Sequence, residues 1–187
     1  MRKMVSIVLQ RALLVAAFLP LIMSAPLGVT AAAADQSFRA TITHPGVYTF
    51  NRPNGNVLVI SVTGPAGPRA HPRGDPSNNV TVGINEYNCC GGLLWTFTET
   101  VYWSWDGTQV LSDSPSTGAS TSAPAWYVAS KPDPYAFWDQ YPIREGNHGE
   151  ATFACCYFVP SQTMNPIITI IVDALGGWSA QTQCTGC

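Results

Sequence analysis

Leu93–Trp105 reads LLWTFTETVYWSW, and its alternation decides the fold. Leu93, Trp95, Phe97, Glu99, Val101, Trp103 and Trp105 recur with a period of two, while the positions between them are mostly Thr and Ser. Side chains on a strand point to opposite faces in turn, so this stretch reads as a strand with one face in a core and the other in water. Asp106-Gly107 follows it and closes a hairpin into residues 108–111.

Upstream, Phe38, Ala40 and Ile42 alternate with Arg39, Thr41 and Thr43. His44-Pro45-Gly46 turns the chain into residues 47–50, and Arg52-Pro53-Asn54-Gly55 is a second turn, leading to VLVISV at 57–62. Residues 64–79 hold four Pro and three Gly and read as a long loop before a strand at 80–84. Downstream, the Ser/Thr-rich residues 112–124 read as a mobile connection, with a short strand expected at 126–128. Asp133-Pro134 has the form of a helix start that Pro142 ends within two turns. Residues 151–159 and 167–172 supply the last expected strands. Eight or nine short strands separated by turns indicate an all-β chain, an antiparallel β-sandwich or jelly roll.

Composition narrows the function. Of 187 residues, 46% are hydrophobic and only 11% charged, with 9 Lys and Arg against 11 Asp and Glu. That excludes a coiled coil, a basic nucleic-acid binder and a highly charged disordered tail. Arg2, Lys3 and Arg11 flank a twelve-residue apolar run at 12–23, and alanines 31–34 follow. This order is that of a secretory signal peptide cleaved between Ala34 and Asp35. The run is too short for a bilayer anchor, and Pro20 interrupts it. Residues 35–187 then form a single exported domain with six basic and eleven acidic side chains. No later segment reads as a membrane span, and an acidic surface repels nucleic acid and anionic lipid. The oligomeric state is left open.

The six cysteines, Cys89, Cys90, Cys155, Cys156, Cys184 and Cys187, suit a disulfide framework in an exported chain. Neighbouring cysteines on a strand point to opposite faces, which disfavours a bond within either CC pair. The expectation is that the CC pairs and the terminal CTGC exchange partners, with the connectivity open among the 15 pairings six cysteines allow. A Cys184–Cys187 redox pair is the alternative. His44, His71 and His148 have no ligand spacing relative to the thiols, and no metal or cofactor is implied. Elbow-serine, zinc-protease and phosphate-loop motifs are missing.

Glu99 stands out as an acid in an aromatic row. Flanked by Trp95, Phe97 and Trp103, it has the setting of a glycosidic general acid, with Glu150 as the candidate second carboxylate. The bland alternatives are a twist that turns it outward or a pairing with Arg39 or Arg144. Trp126, Tyr127, Tyr135, Trp138 and Tyr141 fall outside the alternating core rows, so some of these rings should be exposed and able to stack on sugar faces. Arg73-Gly74-Asp75 spells an adhesion tripeptide, and Asn79-Val80-Thr81 has the form of a glycosylation acceptor. The expectation is therefore a secreted, non-catalytic sandwich that binds a polysaccharide or cell-surface component, with several coplanar exposed rings. The alternatives are an extracellular structural, envelope, inhibitor or toxin-like protein, and a small secreted glycoside hydrolase built on Glu99.

Overall fold

The computed structural model describes residues 29–34, 37–65, 76–156 and 162–187. Arg73-Gly74-Asp75, the leader before residue 29 and the last residues of the strand expected over 151–159 lie outside them. Among the described residues there are thirteen strands and no helix. The first seven are β1 (Val29–Ala34), β2 (Ser37–Ile42), β3 (Gly46–Asn51), β4 (Val57–Thr63), β5 (Ser77–Tyr87), β6 (Leu93–Trp105) and β7 (Val110–Thr121). The remaining six are β8 (Trp126–Ser130), β9 (Tyr135–Gln140), β10 (Arg144–Glu150), β11 (Thr152–Cys155), β12 (Gln162–Asp173) and β13 (Trp178–Thr185).

They form two antiparallel sheets. The five-stranded sheet runs β3-β4-β5-β6-β7, each strand beside its sequence neighbour. The eight-stranded sheet runs β1-β2-β13-β12-β10-β9, with β11 joining β12 to β8. The turn at His44-Pro45-Gly46 carries the chain from the larger sheet to the smaller, whereas Arg52-Pro53-Asn54-Gly55 closes the β3–β4 hairpin. There Gly55 donates its N–H to the Arg52 carbonyl at 3.0 Å with φ +85°, a left-handed conformation glycine adopts without steric cost. Asp106 closes the β6–β7 hairpin by accepting the N–H groups of Thr108 and Gln109 at 2.8 and 2.9 Å.

On β6 the alternation holds along the strand, with Trp95, Phe97, Glu99, Val101, Trp103 and Trp105 all buried. They join one core cluster with Leu58, Ile60, Val82 and Ile84 of the smaller sheet and Ile42, Phe153, Ile168 and Ile170 of the larger. Contacts run from sheet to sheet: Trp95 stacks on Phe153 with ring centres 4.7 Å apart and donates its indole N–H to Met164 Sδ at 3.0 Å. Phe38 and Phe50 meet at 4.7 Å in the same way.

Three expectations need correction. Residues 112–121 are not a mobile connection: they pair with β6 from Trp105↔Val110 to Trp95↔Thr121, because a thirteen-residue strand leaves a long unpaired edge to satisfy. Pro115 is tolerated because β7 is itself the edge of its sheet. No helix starts at Asp133; Tyr135–Gln140 is extended and pairs with β10. Seven residues between Pro134 and Pro142 are too few to offset helix nucleation, whereas aromatic residues suit a strand. Strands β10 and β13 escape the sequence reading because inward positions in their middles are small or polar: Asn147 and Gly149 on one, and Ala180 and Thr182, between buried Trp178 and Cys184, on the other. Val29–Ala34, within the expected leader, pairs with β2 at one end of the larger sheet.

Candidate functional site

Strand β9 ends the larger sheet opposite β1, and every one of its side chains is exposed. Its register with β10 pairs Tyr135 with His148, Phe137 with Gly146 and Trp138 with Glu145, then breaks at a bulge before Arg144. Alternation therefore sets Tyr135 and Phe137 on one face and Trp138 on the other. The Phe137 ring lies over Gly146, in space that a side chain there would fill. Tyr135 packs beside His148, ring centres 5.0 Å apart. Trp138 meets Tyr141 edge-on at 4.8 Å, and Arg144 bridges to Asp139 at 3.2 Å across the bulge.

Exposure separates the aromatic residues singled out from sequence. Tyr135, Trp138 and Tyr141 are 56%, 45% and 73% exposed and share this hairpin. Trp126 is buried in the core beside Cys155, and Tyr127 is half-buried, so neither belongs to the ridge. Phe137, not among the rings singled out from sequence, joins it. The rings are not coplanar: Tyr135 and Phe137 are inclined by 50°, Trp138 and Tyr141 by 83°. A flat polysaccharide surface cannot lie on all of them, but a chain that bends around an edge can touch each.

A polar seam lies on the inward side of the same strands. Glu99 is fully buried and paired with neither Arg39, which bonds Gln183, nor Arg144, which bonds Asp139. Neither carboxyl oxygen has a hydrogen-bond partner of good geometry. Burial pushes the Glu99 carboxyl up to about 9, only slightly opposed by the Gly149 N–H, so it is a neutral acid at physiological pH. Glu150 does not face it. Gly149 points inward at Glu99, so the next residue points outward, where Glu150 is exposed with an oxygen 3.6 Å from His148 Nε2.

Farther along β7 and β10, three residues the sequence reading missed form a polar group of their own: Asp113 on β7, and Glu145 and Asn147 on β10. Burial first, then the charge of Asp113, pushes Glu145 up to about 7; burial also raises Asp113, moderated by Asn147 and Glu145 beside it. Asn147 is fully buried, and no atom of its amide reaches good hydrogen-bond geometry. Only the pairing of β7 opposite β10 brings these groups together, which no local pattern shows. Among the described residues no three acids, histidines or cysteines are placed to hold a metal ion. Asn79, the acceptor-motif residue, is exposed on β5.

The cysteines depart from the expected exchange. Cys184 bonds Cys187 within the tail, Cα atoms 5.6 Å apart, and Gly186 between them has φ +82°. Cys89 and Cys90 lie together in the β5–β6 turn, and Cys155 and Cys156 at the end of β11.

No family model, characterised protein or solved structure matches the chain.

Proposed function

We propose that the chain is an exported, non-catalytic β-sandwich in which the two sheets stack face to face over the shared core, and that it binds a polysaccharide or another cell-surface component along the β9 ridge. The observation that carries this reading is the exposure of four aromatic side chains, Tyr135, Phe137, Trp138 and Tyr141, within seven residues at a sheet edge. Leaving so much apolar ring area in water has a free-energy cost, and such patches on secreted proteins mark contact surfaces. Tyr and Trp present an apolar face and a polar tip together, which suits the alternating C–H and O–H faces of a sugar. Burial of Glu99 and the outward turn of Glu150 remove support from a hydrolase built on that pair, since a general acid must reach its substrate.

The test is retention on insoluble polysaccharides of the mature protein and of Trp138→Ala and Tyr141→Ala. Loss of retention by about tenfold in either variant is the expected result. Equal retention of both variants, or none by the parent, overturns the reading. Export with cleavage after Ala34 is checked by sequencing the N-terminus of the secreted product, which should begin at Asp35.

A second reading, self-assembly, draws on a different observation: among the described residues no strand lies beside the outer edge of β9. An open edge is a template for pairing with another copy. Sedimentation separates the two, because assembly requires oligomers without added glycan.

A further inference from the structure

Residues side by side on a strand send their side chains to opposite faces, so two adjacent cysteines in regular β structure keep their sulfurs apart. Cys155 and Cys156 break that rule. Cys155 is the last residue of β11, opposite Trp126 on one side and Gln162 on the other. Cys156 has φ +70° and is the sole described non-glycine residue in the left-handed region. That conformation reverses the alternation and brings both sulfurs to the same side, 2.8 Å apart. A non-glycine residue there costs about 1–3 kcal/mol and persists where its surroundings hold it. The Cys156 N–H donating to the Ala125 carbonyl at 2.9 Å supplies part of that hold. The other CC pair lacks these features: Cys89 and Cys90 sulfurs sit 3.5 Å apart in a turn where the left-handed residue is Gly91.

We infer that Cys155 and Cys156 form a vicinal disulfide in the exported protein, and that this bond is a reversible two-electron site rather than a structural staple. Formation joins the two sulfurs and removes one proton from each thiol together with two electrons. An external disulfide, such as oxidised glutathione or the disulfide of an oxidoreductase, accepts them and leaves as two thiols. Reduction by thiols runs the same step backwards.

Two arguments set it apart from a staple. Neighbouring Cα atoms are about 3.8 Å apart, below the roughly 4.4–6.8 Å that ordinary disulfides span, so the ring is tight and gives up its bond readily. It also closes no loop of chain, so it removes almost no entropy from the unfolded state. Access favours the same role: Cys156 is exposed and Cys155 half-buried, whereas Cys184 and Cys187 are buried. Contact with Cys156 raises the Cys155 thiol above its ordinary value.

The sequence makes the test clean. Chymotryptic cleavage after Phe153 and after Tyr157 isolates the pair from the other four cysteines. Full-length secreted protein, equilibrated with oxidised glutathione and blocked with N-ethylmaleimide, should yield this fragment about 2 Da lighter than its dithiol form, unlabelled and joined to no other peptide. A brief native treatment with dithiothreitol before blocking should place two labels on it while Cys184–Cys187 stays closed. Two labels without reduction, a glutathione adduct, or a cross-link to a peptide holding Cys89 or Cys90 overturns the bond. Opening of Cys184–Cys187 together with it overturns the redox role.

Discussion

The carboxyl of Glu99 occupies the space that a side chain at position 149 would need. A Cβ placed on Gly149 would stand 3.2 Å from Glu99 Cδ and 2.6 Å from Thr117 Cγ2. Thr117 is backbone-paired with Glu99 on the neighbouring strand, so an added methyl forces two adjoining side chains to shift at once. Gly149→Ala is therefore expected to lower stability by about 1–3 kcal/mol, measured by chemical denaturation. A loss below about 0.5 kcal/mol would show that the seam is looser than this geometry.

Glu99 also sets a pH dependence. Its folded value of about 9 lies above the ordinary 4.5, so the folded state holds a proton that the unfolded state releases. The associated stability is fully present below about pH 4.5 and is lost as pH rises towards 9, about 3 kcal/mol of it by pH 7. Glu145, raised in the same direction, adds a loss of the same sign. Glu99→Gln, which keeps the shape and cannot ionise, should make the profile less steep between pH 5 and 9, leaving the part due to Glu145. A variant as pH-dependent as the parent would place the effect elsewhere.

Trp126 and Tyr141, grouped together by sequence, should separate by experiment. Trp126→Ala empties a buried site and is expected to cost about 3–5 kcal/mol. Tyr141→Ala removes an exposed ring and should leave the denaturation midpoint within about 0.5 kcal/mol of the parent while weakening glycan retention.

The tail disulfide should matter little to the fold. Cys184–Cys187 encloses a loop with a sequence separation of 3, for which chain entropy gives at most about 2 kcal/mol. The double variant Cys184→Ser/Cys187→Ser should stay folded, with circular dichroism unchanged. Loss of the strand signal would mean that the bridge holds β13 in place.

What the sequence determined by itself is whatever depends on near neighbours. Period-two alternation defines β6 because each of its residues meets the same two environments in turn. The turns at Asn54-Gly55 and Asp106-Gly107 are legible because their conformations need only local residues. What the tertiary structure decided depends on partners far along the chain. β7 is a strand because β6 offers it an edge, β10 because β12 does and β9 because β10 does, although their own residues suggested a linker, nothing regular and a helix. Glu99 meets Gly149 fifty residues away, and the polar group of Asp113 and Glu145 exists only where β7 lies opposite β10. The sulfurs of Cys155 and Cys156 meet through one backbone angle held by a bond to Ala125 on another segment. Composition and spacing record which groups are present, whereas burial and pairing arise only when distant stretches of chain compete for the same space.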